Sequence, residues 1–242
     1  MEKMNNLSKK MNINLTNEQL KSFETYYNML IEKNKVMNLT AITDRDEVIM
    51  KHFIDSISVM AAVPLFGQLL SEKGQISLLD VGTGAGFPGI PLKIAFPDLK
   101  ITLLDSLNKR VLFLNEVIST LGLTDITAVH GRAEEAARKP EYRDNFDVVV
   151  SRAVAALPVL SEYTLPFVKK GGVLISYKTP GAEEELSNAK RAIKLLGGGN
   201  ASIYPYTLPD SDITRSFIVI SKEKPTPKAY PRKAGTAKKD PL

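Results

Sequence analysis

No cysteine occurs anywhere in the 242 residues. That absence excludes disulfides, a thiolate nucleophile, Cys-ligated zinc and iron–sulfur clusters, and it fits a reducing compartment. Long apolar runs are also missing. The longest largely apolar stretch, Ile57 to Phe66, contains Pro64 and falls well short of the ~20 residues a membrane helix needs. The first ten residues are polar, without the apolar core of a signal peptide. These absences lead us to expect a cytoplasmic protein with no membrane contact. With 43% hydrophobic and 24% charged residues, the composition is that of a soluble globular chain long enough to bury its own core.

The body of the chain has no excess charge. The formal net charge is +5, yet residues 222–242 hold seven Lys/Arg against two Asp/Glu. Residues 1–221 therefore hold 25 of each sign and net zero. A neutral body with a basic tail suggests a polyanionic partner such as nucleic acid, or else a solubility tail.

Two helices open the chain. Thr16 and Gln19 form a capping box before the helical stripe Leu20, Phe23, Tyr27, Leu30 and Ile31. The loop Asn38-Leu39-Thr40 follows. Thr43 is then expected to cap a helix with the stripe Val48, Ile49, Phe53, Ile57 and Met60, and Pro64 to end it. From residue 76 strands and helices alternate. Strands are predicted at 76–81, 101–105, 126–130, 146–151 and 173–177, with a final antiparallel pair at 202–206 and 217–221. Helices are predicted at 88–96, from a Ser106 cap to Gly122, at 157–168 and at 183–196. Such alternation means an α/β, doubly wound, Rossmann-like sheet with helices on both faces. The expected organisation is a helical extension (1–66) packed on the core, an α/β domain (74–221) and a basic tail (222–242). No internal repeat is apparent.

The most informative segment joins the first strand to the first helix of the sheet: Asp80-Val81-Gly82-Thr83-Gly84-Ala85-Gly86-Phe87-Pro88-Gly89. Two cofactors compete for it. Read from Gly84, it gives Gly-x-Gly-x-x-Gly, a formal dinucleotide match, but with its first glycine late and Pro88 inside the motif. Read from Asp80, it gives Asp-x-Gly-x-Gly-x-Gly. An acid at the strand end suits a ligand with a cationic amino group rather than a pyrophosphate, which points to S-adenosylmethionine. Gly82 and Gly84 let the backbone approach the ligand, and Asp105, ending the second strand, suits the ribose hydroxyls. Gly131-Arg132-Ala133-Glu134 would border the adenine. Ser151-Arg152-Ala153-Val154 would line the methyl-transfer pocket.

The Asn/Asp-Pro-Pro-Tyr/Phe motif usual in nucleobase amine methylases is absent after the fourth strand. Pyrimidine C5 methylation normally needs the missing cysteine. A guanine N7 lone pair fits what remains, since it carries no proton and needs no general base. Catalysis is then positioning for in-line attack. No residue is singled out as acid, base or nucleophile, and no metal site is expected.

Taken in order, Asn38-Leu39-Thr40, His52-Phe53-x-Asp55-Ser56, Asp80–Gly89, Asp105-Ser106-x-x-Lys109-Arg110, Arg132-Ala133-Glu134, Ser151–Val154 and Tyr230-Pro231-Arg232-Lys233 span nearly the whole chain. In this set the sequence resembles the bacterial small-subunit ribosomal RNA guanine-N7 methyltransferases, also called glucose-inhibited division protein B. The resemblance implies a class I methyltransferase fold and S-adenosylmethionine bound by Gly82, Phe87, Ala133, Glu134 and Arg152. It also implies methylation of one guanine N7 in 16S ribosomal RNA, free or within the small subunit. Asn38, His52, Arg232 and Lys233 are the expected RNA contacts, and a monomer is expected. The family often has Lys-Gly after the fifth strand, whereas here Lys178 precedes Thr179 and Pro180. The Glu183-Glu184-Glu185 run reads as a helix start favoured by the dipole. The competing readings are an NAD-dependent oxidoreductase and a non-catalytic RNA-binding or ribosome-assembly module.

Overall fold

The computed structural model describes residues 1–242. Seven strands form one sheet in the order β3-β2-β1-β4-β5-β7-β6. They are β1 (Ser77–Val81), β2 (Lys100–Asp105), β3 (Ile126–His130), β4 (Phe146–Arg152), β5 (Val168–Lys178), β6 (Gly198–Thr207) and β7 (Thr214–Lys222). The first five run parallel; β7 inserts antiparallel between β5 and β6. Register aligns the carboxyl ends: Val81 pairs with Leu104, Asp105 with His130, and Arg152 with Tyr177. The strand order reverses between β1 and β4, and the crevice beyond those ends is where such sheets bind ligands.

Both faces of the sheet are covered, because alternate side chains point to opposite sides. Leu78, Leu103, Val148, Val150 and Ile175 pack in one core with the N-terminal helices and with α7 (Gly89–Ala95) and α8 (Asn108–Thr120). Leu79, Val81, Val149, Leu174 and Ile220 pack on the other side, against α10 (Leu157–Thr164) and α11 (Ala182–Leu195). A short helix α9 (Ala133–Ala136) follows β3.

The N-terminal helices belong to this core. They are α1 (Glu2–Lys10), α2 (Asn17–Met37), α3 (Arg45–Val48), a π-helical turn Ile49–Ile54, α4 (Asp55–Ile57), α5 (Val59–Ala62) and α6 (Pro64–Lys73). The Thr16–Gln19 capping box opens α2 as expected. Phe23, Tyr26, Phe53 and Phe87 form one buried aromatic cluster that ties α2 and the π-turn to the glycine loop.

Two local expectations change. The cap of α3 is Asp44, whose carboxylate accepts from Glu47 N; Thr43 lies one residue too early. Pro64 follows the end of α5 at Ala62 as expected, and it also begins α6, where its missing N–H costs nothing and its fixed φ helps. Ser106 makes no side-chain cap; α8 starts after Leu107, held by the Asp105 carboxylate on the Leu107 N–H.

Residues 222–242 are folded onto the body. Lys222 ends β7, is buried, and reaches the Leu165 carbonyl, the Thr226 hydroxyl and Asp144. Burial lowers its pKa to about 8 against the opposing pull of Asp144. Arg143 and Arg138 hold the carbonyls of Tyr230 and Pro231, and α12 (Thr236–Lys239) packs against α10. No helix of the protein is long and apolar enough to cross a membrane.

Candidate active site

Two hollows lie side by side beyond the carboxyl ends of the parallel strands. The smaller, about 230 Å³, is lined by Gly82, Ser106, Gly131, Arg132, Ala133, Glu134, Tyr163, Gly235 and Lys238 among others. The larger, about 640 Å³, is lined by Lys51, His52, Asp55, Arg152, Tyr177, Lys178, Glu185 and Arg215 among others. Val154 lines both and stands between them.

The glycine loop explains the smaller hollow. Gly82 (φ +73°) and Gly84 (φ +63°) take left-handed conformations that side chains resist. A Cβ on Gly82 would come within 2.5 Å of Val154 Cγ2, whereas one on Gly84 would meet nothing within 4 Å. The loop therefore presents bare backbone, packed by Val154 on one side and open on another. Ala153 itself is held at φ +56°, strained for a residue with a Cβ, and it sets Val154 over the loop.

Asp80 is fully buried. Its Oδ2 accepts from the Thr83 hydroxyl (2.6 Å) and the Gly89 N–H (2.9 Å), while Oδ1 has no partner. Burial pushes its pKa up to about 6, and the two hydrogen bonds pull the other way. This geometry counts against a dinucleotide. The first amide of α7, which would receive a pyrophosphate, is already bonded to a carboxylate. An orphaned buried carboxylate oxygen beside a bare glycine turn instead fits a ligand with a cationic end and no phosphate.

Asp105 ends β2 beside the glycine loop. It is buried, and its oxygens accept from Gly84 N (2.9 Å), Leu107 N (2.9 Å) and Arg110 (3.4 Å). The carboxylate shapes the loop, and Ser106 rather than Asp105 lines the hollow. The acid on the wall is Glu134, which accepts from the Gly235 N–H at 2.9 Å. Through Gly235 and Lys238 the C-terminal segment closes the smaller hollow, a role the sequence does not reveal.

The larger hollow is built around Asp55. Its Oδ2 takes Arg152 at 2.6 Å, and its Oδ1 takes Arg215 at 2.7 Å. Arg152 also donates to the Lys51 carbonyl (3.0 Å), lies 5.2 Å above the Phe87 ring and faces His52 Nδ1 at 3.3 Å. His52 stacks on Phe87 at 4.5 Å and meets the Thr40 hydroxyl through Nε2 at 2.8 Å. Nδ1 faces both the Lys51 carbonyl at 3.1 Å and the Arg152 guanidinium, one an acceptor and the other a donor. Burial, and then Arg152, lower the His52 pKa to about 4, so the ring is neutral near pH 7. The π-turn that carries His52 is the irregularity that often marks functional positions.

The hollow carries four cations, Lys51, Arg152, Lys178 and Arg215, against two acids, Asp55 and Glu185. The body that is neutral in sum is positive here. Sequence singled out Arg152, His52 and Phe87, and the structure brings them together. It missed Arg215, which β7 delivers from 160 positions away from Asp55; no local pattern announces it. Asn38 is exposed, ends α2 in a left-handed turn and lines neither hollow. Arg232 lies outside both hollows, bonded to buried Glu162 (2.8 Å) and to Asp240 (3.2 Å), so its guanidinium is engaged within the chain. Lys233 is exposed.

The sheet order, the acid-glycine loop and the paired hollows at the strand ends define a class I methyltransferase. The putative O-methyltransferase of Klebsiella pneumoniae shares this fold, with TM-score 0.52 and 14% identity, covering 82% of this chain and 90% of that one. So does a putative S-adenosyl-L-methionine-dependent methyltransferase of Methanococcus maripaludis, with TM-score 0.51, 18% identity and coverage of 82% and 92%. The profile of the family described as rRNA small subunit methyltransferase G matches residues 19–213. The chain is 54% identical over 230 residues to ribosomal RNA small subunit methyltransferase G of Lachnoclostridium phytofermentans, covering 95% of this chain and 92% of the relative. It is 53% identical to the protein of that name from Acetivibrio thermocellus, with coverage of 95% and 91%. The chain belongs to the rRNA small subunit methyltransferase G family.

Proposed function

We propose that the protein transfers a methyl group from S-adenosylmethionine to N7 of one guanine in 16S ribosomal RNA, free or within the small subunit. The observation that carries this reading is the pair of adjoining hollows, one walled by bare glycine backbone and the other cationic. When bound, S-adenosylmethionine supplies an electrophilic methyl on a sulfonium centre. Gly82 and Gly84 would admit it to the backbone. Ala133 and Glu134 would border its adenosine, and buried Asp80 would face its positive end. Asp105 would support it by fixing the loop.

Phe87 carries Arg152 and His52 on its ring, and both line the larger hollow. Arg152 is held by Asp55, the Lys51 carbonyl and the ring, so its remaining donors are aimed without further ordering. Guanine N7 bears a lone pair and no proton, so the chain needs no general base. The low basicity of His52 agrees with a stacking and positioning role. Lys51, Lys178 and Arg215 add positive potential for the RNA backbone. Asn38 and Lys233, both exposed, are candidate contacts at the periphery.

The test is transfer of labelled methyl to small-subunit rRNA followed by nucleoside analysis. N7-methylguanosine is the expected product; label in another nucleoside overturns the assignment.

A further inference from the structure

N7 chemistry does not by itself choose guanine, because adenine carries an N7 lone pair too. The purines differ at position 6 beside N7, where guanine carries an oxygen and adenine an amino group, and again on the opposite edge. Guanine presents donors there, N1–H and N2–H₂, whereas adenine presents an N1 acceptor. A cleft that reads guanine on that edge needs an acceptor facing it, and an ionised carboxylate is the strongest one available to a protein.

The larger hollow has two carboxylates. Asp55 is spent, with one oxygen on Arg152 and the other on Arg215, and its side chain is only 3% exposed. Glu185 is different. Its Oε2 takes both of its partners, the Lys178 ammonium at 2.6 Å and the Leu157 N–H at 3.0 Å. Its Oε1 makes no bond within the chain, and the side chain is 37% exposed on the cleft wall.

The carboxylate is also fixed in place. Lys178 donates to the Ala155 carbonyl at 2.9 Å, so Lys178, Glu185 and the loop after β4 form one brace. Glu183 and Glu184 line no part of the cleft; only the third acid of the run does. Glu185 is thus held by one oxygen and offered by the other.

We infer that Glu185 is a specificity-determining residue: its Oε1 accepts from the N1–H/N2–H₂ edge of the target guanine. The inference rests on the guanine reading above. Adenine would set its N1 lone pair against the same oxygen and be repelled. Loss of one hydrogen bond to a charged group costs roughly tenfold or more.

The experiment compares two RNA substrates, one with guanine at the target position and one with inosine, which keeps N7 and N1–H and lacks the N2 amino group. The wild-type protein is expected to favour guanine roughly tenfold or more in kcat/KM. In Glu185→Gln this preference should shrink to within about threefold, because the amide offers the edge a donor as well as an acceptor. A residue that merely braced the loop would lower both rates and leave the ratio intact, and an intact ratio overturns the proposal.

Should Glu185→Gln transfer too little methyl to measure, equilibrium affinity for the two RNAs gives the same ratio. Lys178→Met, which removes the brace and keeps the carboxylate, should retain a preference for guanine. Equal rates on guanine and inosine RNA by the wild type also overturn it. Failure of the wild type to methylate guanine RNA at all would instead reject the proposed function.

Discussion

At the scale of single residues, the site depends on groups that are uncomfortable alone. Asp55 is nearly buried and sits between two guanidiniums. Removing it leaves Arg152 and Arg215 facing each other without compensation. Asp55→Ala should therefore cost about 3–5 kcal/mol in chemical denaturation. A loss below about 1 kcal/mol would mean that solvent already screens the pair. Asp80 gives a pH signature. Its folded pKa is raised by burial to about 6, above the usual 3.8, so its contribution to stability is full below 3.8 and is lost as pH rises through 6. A cationic ligand reverses that loss by favouring the ionised form. S-adenosylmethionine affinity, measured calorimetrically, should rise with pH through about 6 and then level off, and Asp80→Asn should abolish the rise. His52 runs the other way. Its pKa is lowered to about 4, so its contribution is present above 6.5 and is lost as pH falls toward 4.

At the scale of elements, the glycine loop and the loop after β4 form one unit, since Val154 fills the space that Gly82 leaves. Gly82→Ala combines a left-handed residue with a collision at 2.5 Å. It should weaken S-adenosylmethionine binding more than tenfold and destabilise the fold by about 1–3 kcal/mol. Adding Val154→Ala should recover the steric part in thermal melts but leave the backbone strain, about 1 kcal/mol. No recovery would show that the strain accounts for the whole loss.

Much of this unit was legible in the sequence. Alternating strands and helices, the Asp80–Gly89 register and the Thr16–Gln19 box each depend on residues close in sequence, whose period and spacing carry the signal. What escaped is either very local or very distant. Thr43 and Asp44 are both good caps, and only the backbone decides between them. Pro64 ends one helix as read and also begins the next, a second role the sequence did not announce. Asp105 reads as a ligand acid, and only the fold shows that it also holds two loop amides. Arg215 and Glu185 reach the cleft only because β7 inserts beside β5 and α11 packs on α10, a tertiary result with no local trace.

At the scale of the whole molecule, the question is what the excess charge does. The segment 222–242 carries the chain's whole excess charge, yet two of its seven cations are engaged inside the fold, Lys222 by burial and Arg232 by Glu162. A third, Lys238, borders the smaller hollow. Truncating the segment would strip Glu162 of its partner and remove Gly235 from Glu134, so lost activity would say nothing about RNA. The informative variant keeps the backbone and changes only the exposed lysines away from the hollows. Lys224, Lys228, Lys233 and Lys239 are all exposed. If each meets a phosphate, replacing the four with glutamine should reduce the slope of log affinity against log salt by roughly 3. The melting temperature and the affinity for S-adenosylmethionine should stay as in the wild type, because none of the four touches the core or the cofactor hollow. An unchanged slope would assign the RNA footprint to the cationic cleft of Lys51, Arg152, Lys178 and Arg215. The tail would then be left with the structural work its buried contacts already show.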